Sequence, residues 1–137
     1  MAEPLLQLTY ISDIPPTLSP ADIVQIHQQA EINNQRLALT GLLLHTKRHF
    51  MQLLEGPAAV VHARYEIIAA DPRHQHVRVI SERPIPSRQF PNWHMGLKRL
   101  LDQDEDADLT AVINLYGQQQ HFSPQHAEAI ALLFQAV

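Results

Sequence analysis

The sequence predicts an α+β domain: one β-sheet with two helices on one face and further helices on the other. Three observations lead there. Apolar residues alternate at strand period near the N-terminus (Leu6, Leu8, Tyr10), then recur at helical period after Ser19-Pro20-Ala21-Asp22. Two short apolar runs, Thr40–Thr46 and Phe50–Leu54, are joined by a three-residue basic turn, the pattern of a hairpin.

Leu5–Ser12 forms the first strand, with Leu6, Leu8 and Tyr10 on one face and Gln7 and Thr9 on the other. Asp13–Leu18 contains Pro15-Pro16 and is a loop. Ser19 is placed to N-cap the first helix, Pro20 suits its first position, and Asp22 completes a capping-box pattern. The apolar face of that helix runs through Ile23, Ile26 and Ala30, and the same spacing then reaches two amides, Asn33 and Asn34. The hairpin follows, turning at Lys47-Arg48-His49. A second helix starts at Pro57 and runs to about Asp71, with Val60, Val61, Tyr65, Ile67 and Ile68 available for burial, and Pro72 stops it. Val77–Glu82 is a fourth strand and Trp93–Lys98 a fifth, separated by a Pro-rich crossover. The order β-α-β-β-α-β-β is a ferredoxin-like unit with one extra strand. Right-handed crossovers are expected to place its first and third strands side by side, parallel, at the centre. Asp102–Asp106 is an acidic linker, Leu109–Leu115 a short helix, and Ser123-Pro124 caps a last helix from Gln125 to about Ala136. Residues 1–98 are thus expected to form the main domain and 99–137 a helical extension packed on the sheet.

A length of 137 residues fits one domain, and 45% apolar residues are enough for a sizeable core. A net charge of −4 without a basic stripe argues against nucleic acid as a direct partner. Cysteine is absent, which removes thiolate nucleophiles, disulfides and thiol adducts from consideration. The start Met1-Ala2-Glu3-Pro4 lacks the features of a signal peptide, and no apolar run approaches the roughly 20 residues that cross a bilayer. A cytoplasmic protein is expected.

The chemistry-bearing residues are amides and a phenol. Tyr10 lies near the end of the first strand and Gln52 midway along the third, on the face of Phe50 and Leu54. With helices over that face, the two are buried as neighbours, and Asn33 and Asn34 face them across a crevice. An unpaired buried polar group costs about 1–3 kcal/mol, so such a set is expected to share a network or a ligand. Its donors and acceptors suit a planar heterocycle carrying both types along one edge. The plainer alternative is that Gln52 and the two Asn cap helix ends or solvate a sheet face. Neither an activated nucleophile nor a positioned general base is evident.

Five motifs in order decide between these: Leu8-Thr9-Tyr10-Ile11-Ser12; Asn33-Asn34 followed by Thr40-Gly41-Leu42; Phe50-Met51-Gln52-Leu53-Leu54-Glu55-Gly56; Asp71-Pro72-Arg73-His74; and Arg88-Gln89-Phe90-Pro91-Asn92-Trp93-His94-Met95. Together they resemble the signature of BLUF domains, the flavin-based sensors of blue light, over residues 5 to about 98. The resemblance implies a flavin, usually FAD, between the two helices, held by Tyr10, Asn33, Asn34, Gln52, Arg73 and His74. Asn34 would hold the N3/O4 edge of its pyrimidine part, with Asn33 against the ring and Arg73 near its O2 side. It implies that blue light drives electron and proton transfer from Tyr10, leaving Gln52 rotated or tautomerised, and that Trp93 and Met95 relay the change outward. One departure concerns the cofactor. Some members carry a basic side chain at the position of Ile67, near the flavin tail, so FAD, FMN and riboflavin stay open here. The Lys47-Arg48-His49 turn is also more basic than the polar turn expected of the family.

Other readings are weaker. His74-x-His76 lacks a third metal ligand, Asp71 and Glu55 read as structural carboxylates, and Trp93 can simply be core. An acyl-phosphate hydrolase of the same fold needs an Arg in the first loop and an Asn on the second strand. The chain offers Asp13-Ile14-Pro15-Pro16 and an aliphatic strand instead. A light-independent regulatory module that binds a ligand or a partner would keep the fold but would not need the Tyr10–Gln52 pair. The expected output is a changed association with an unidentified protein partner or a second copy of the chain.

Overall fold

A computed structural model describes residues 4–91, 94–100 and 106–136, of which 94–100 as backbone only. Its elements are β1 (Leu5–Asp13), α1 (Pro20–Leu37), β2 (Thr40–His45), β3 (His49–Pro57), α2 (Ala58–Ala70), β4 (Gln75–Ile85), β5 (His94–Leu100), α3 (Ala107–Gly117) and α4 (Pro124–Ala136). The sheet order is β4-β1-β3-β2-β5. This is the expected ferredoxin-like arrangement with its fifth strand added, parallel to β2, at the edge.

One expectation is corrected. β1 and β3 are central neighbours, but they run antiparallel, with Tyr10 directly opposite Gln52. The crossover through α1 makes β1 parallel to β2, and the tight β2–β3 hairpin then reverses the chain, so the strand inserted between them opposes both. A second difference is the length of β4, which continues through Pro84. It is an edge strand, where a missing N–H can face away from the sheet.

α1 begins as the sequence indicated. The Ser19 side chain accepts from the Asp22 amide at 3.1 Å, and the Ser19 amide donates to the Asp22 carboxylate at 2.9 Å. The helix runs past the two Asn to Leu37 and ends on Ala38 in the left-handed conformation, φ 56°. α2 buries Val61 and Ile68. Ile67, expected among the buried residues, is 59% exposed, because consecutive residues on a helix cannot both face the sheet.

The sheet is covered on both sides. Leu6, Leu8, Tyr10, Phe50 and Leu54 pack beneath α1 and α2 with Ile26, Val61 and Ile68. On the other face Ile11, Leu42, Leu44, Met51 and Leu53 pack with Ile113 and Tyr116 of α3 and Ile130 and Phe134 of α4. Both faces of β2 and β3 are therefore dry, which explains why their runs are continuously apolar rather than alternating.

Candidate functional site

The site is a narrow cleft between α1 and α2 over the centre of the sheet, with a cavity volume of about 30 Å³. That is far below the roughly 300–1,000 Å³ of small-molecule sites, so a ligand of that size enters only if the two helices part. Tyr10 and Gln52 form its floor, with Leu43 of β2 beside them. Ile26, Gln29, Ala30 and Asn34 come from α1, Arg64, Ile67 and Ile68 from α2, and Asp71, Arg73 and His74 from the turn after α2. Ile26, Ala30 and Asn34 succeed one another at four-residue spacing, so the apolar stripe that buries α1 ends in a buried amide.

The Tyr10 hydroxyl donates to the Gln52 Oε1, both side chains being almost fully buried. Burial pushes the Tyr10 hydroxyl well above the ordinary phenol range, with Arg64 acting in the opposite sense. Tyr10 therefore keeps its proton at any working pH, and the bound amide oxygen is the acceptor through which that proton can leave. Because Oε1 faces the phenol, the amino end of the amide points away from it; turning the amide would exchange a donor for the acceptor at Tyr10.

Asp71 and Arg73 close one end of the cleft. The Arg73 Nη2 donates to Asp71 at 2.7 Å and to Gln29 Oε1 at 3.0 Å, while Arg73 Nε donates to both Asp71 oxygens. This pairing holds the Asp71 carboxyl below its usual range and ties the turn after α2 to α1. The His74 ring lies 6.2 Å from that of Tyr10, edge-on, and its Nδ1 is 3.1 Å from Ser12 Oγ. Burial pushes its pKa down to about 4, so the imidazole is neutral at pH 7.

That shift sets a pH dependence. Above about pH 6.5 His74 is neutral in both the folded and unfolded chain and contributes nothing to the slope. Between about 6.5 and about 4 the unfolded chain takes up a proton that the folded chain refuses, so stability falls as pH falls. Urea unfolding at several pH values should show this loss, and His74→Asn should flatten it. Equal slopes in the two proteins would show that His74 does not carry the effect.

Of the residues expected from sequence, the structure brings Tyr10, Asn34, Gln52, Arg73 and His74 into one cleft. Asn33 does not line it: its Oδ1 accepts from Arg36 Nη2 at 3.3 Å, since the residue before Asn34 is turned about 100° around the helix. Met95 falls on β5, and Trp93 lies outside the described residues. The residues not foreseen are Gln29 and Arg64. Arg64 had a signal in the sequence, standing on the Val61–Ile68 side of α2 where an apolar residue would be expected.

A second polar cluster lies on the opposite face. The Glu55 carboxylate, fully buried, accepts from Gln7 Nε2 at 3.0 Å and from the amides of Gln89 and Phe90 at 2.9 and 2.8 Å. Arg88 adds bonds to the Glu55 carbonyl, the Thr40 hydroxyl and the Ala38 carbonyl. Glu55 so anchors the chain leading to β5 onto the strand that carries Gln52, a larger role than ending a strand. Glu55→Ala is expected to lower the unfolding free energy by about 3 kcal/mol, through buried donors left without their acceptor. A loss below about 1 kcal/mol in urea unfolding would show that water replaces the carboxylate there.

Among the described residues no cluster of three or more His, Asp or Glu is arranged to hold a metal, and no helix is long and apolar enough to cross a membrane. The donor set does fit a flavin: a buried phenol, amides and an imidazole line one cleft together with the apolar Ile26, Leu43 and Ile68.

Comparison with known proteins agrees with this geometry. Residues 5–96 match the BLUF family, described as sensors of blue-light using FAD. The chain belongs to the BLUF family. The dark-state structure of the BLUF protein BlrB superposes with a TM-score of 0.74 at 35% identity, covering 84% of this chain and 86% of that one. Photoactivated adenylate cyclase subunit beta of Euglena gracilis is 38% identical over 88 residues, which are 64% of this chain and 10% of that protein. The blue light- and temperature-regulated antirepressor BluF of Escherichia coli (strain K12) is 33% identical over 114 residues, 83% of this chain and 28% of that protein. The chain thus spans about a tenth of the length of the cyclase subunit. The family's description is of a flavin-using sensor, and the cyclase and antirepressor activities named for those relatives are said of those proteins.

Proposed function

We propose that this BLUF domain takes FAD into the cleft between α1 and α2 and reports blue light through the hydrogen bond between Tyr10 and Gln52. Tyr10, Asn34, Gln52, Arg73 and His74 would hold the flavin, with Asn33 at the margin. The observation that carries this reading is the Tyr10 hydroxyl bound to the Gln52 amide oxygen on the floor of that cleft. A bound flavin supplies blue-light absorption and an electron acceptor. Tyr10 can give up its electron only with its hydroxyl proton, because burial makes a lone phenolate too costly. The proton leaves toward Gln52 Oε1. Electron and proton then return to Tyr10, and Gln52 is left in a second arrangement, turned or tautomerised, with donor and acceptor exchanged. Two arrangements of one amide, separated by a few kcal/mol, make a bistable element whose barrier sets the lifetime of the lit state.

The output runs from β3 to the strand that bears Met95 and follows Trp93, and from there to a downstream protein or a second copy of the chain, in the cytoplasm. Purified protein should be yellow, and blue light should shift its absorption reversibly to the red. A colourless preparation that takes up no added flavin rejects the reading.

A further inference from the structure

The two arginines of the cleft differ in how they are held. Arg73 is neutralised: its Nε and Nη2 are both committed to the Asp71 carboxylate, and Nη2 also binds Gln29. Arg64 lines the same cleft, half-buried, and its guanidinium has no hydrogen-bonded or ion-paired partner among the described residues. Its position on α2 lies one turn before Ile67 and Ile68, which line the cleft with it, and Ile67 is the exposed residue at the rim. Residues three and four apart on a helix are neighbours, so a long side chain at 64 reaches the space beside Ile67. A cation so placed is costly to leave without a counter-charge. Burial and the neighbouring Arg36 act against its charged form, while Arg73 and Asp71, paired with each other, act in opposite senses. The surroundings therefore favour an added anion, in a chain whose overall charge is negative.

We infer that Arg64 is the anion-binding residue of the cleft and takes a phosphate of the flavin nucleotide. This rests on the flavin-binding reading above and adds to it a specificity: the site selects a phosphorylated flavin over riboflavin. FMN and FAD share that chemistry, and the test separates them.

The experiment is titration of flavin-free protein with riboflavin, FMN and FAD, followed by quenching of flavin fluorescence. Wild-type protein should bind FMN and FAD at least about tenfold more tightly than riboflavin, with only the phosphorylated flavins weakened by added salt. Arg64→Gln should abolish that preference and leave riboflavin affinity unchanged, which also shows that the variant is folded. Arg64→Lys should keep part of the preference, and Arg48→Gln, on the exposed hairpin turn, should keep all of it. FAD tighter than FMN would assign a contact to the second phosphate or the adenosine as well; equal affinities would confine Arg64 to the first phosphate. Riboflavin bound as tightly as FMN and FAD by wild-type protein, or a preference that survives Arg64→Gln, overturns the inference while leaving flavin binding intact. Failure of all three flavins to bind overturns the flavin reading itself.

Discussion

Gln52→Leu is expected to abolish the light-induced red shift while flavin stays bound. Leucine has nearly the volume of glutamine, so the floor of the cleft keeps its shape and the apolar walls from Ile26, Leu43 and Ile68 are unchanged. What disappears is the acceptor for the Tyr10 hydroxyl. The phenol is fully buried, so an unmatched hydroxyl there costs about 1–3 kcal/mol, a tolerable loss for a folded domain. Function has no such margin, because an aliphatic side chain has no donor and acceptor to exchange. The measurement is a lit-minus-dark difference spectrum of the purified variant beside its flavin content. A variant that holds flavin and still shifts to the red would place the switch elsewhere than in the amide.

The elements of this fold were readable wherever a local rule decided them. Ser19 and Asp22 announce the start of α1 by a reciprocal pair of side-chain bonds, and both bonds form. Alternation along β1 put Tyr10 on the face of Leu6 and Leu8, and that face is the one the helices cover. What local rules do not decide is relative direction. Neighbouring central strands carry the same alternation whether parallel or antiparallel, and only the sequence of connections (crossover, then hairpin) makes β1 oppose β3. The placement of Tyr10 beside Gln52 survived that correction because it depends on adjacency and facing, not on direction.

The site was legible in part for the same reason. Asn34 and Gln52 stand where an apolar residue belongs, and such exceptions to pattern are where function is to be sought. Asn33 breaks the pattern in sequence but not in space, since one residue of helix turns its amide toward Arg36. Arg64 breaks it as well, but a long charged side chain on a helix is ordinarily solvated, so the break alone does not mark a site. The Glu55 cluster was invisible: its partners Gln89 and Phe90 come from a distant loop whose path no periodicity encodes.

Gly41→Ala should prevent the domain from folding, although no chemistry resides at that position. Gly41 lies on β2 between β3 and β5, with φ at +152°, a conformation that L side chains rarely adopt. A Cβ added there would stand 1.8 Å from the Leu53 carbonyl oxygen and 2.8 Å from its carbon. Both are backbone atoms of a central strand, so no side-chain rotation relieves the clash. Leu53 could move only by breaking its ladder to β1 or β2, on a strand buried on both faces. Relief therefore requires opening the sheet, at a cost of more than about 4 kcal/mol against a typical total stability of about 5–15 kcal/mol. Leu43, two residues further along β2, is part of the cleft wall, so flavin uptake should fail together with the fold. The check is soluble yield, thermal unfolding by circular dichroism and bound flavin of Gly41→Ala beside wild type. A soluble variant melting within a few degrees of wild type would show that β2 can shift away from β3 without losing the sheet, and that the close approach at Gly41 is not what sets the position of the cleft floor.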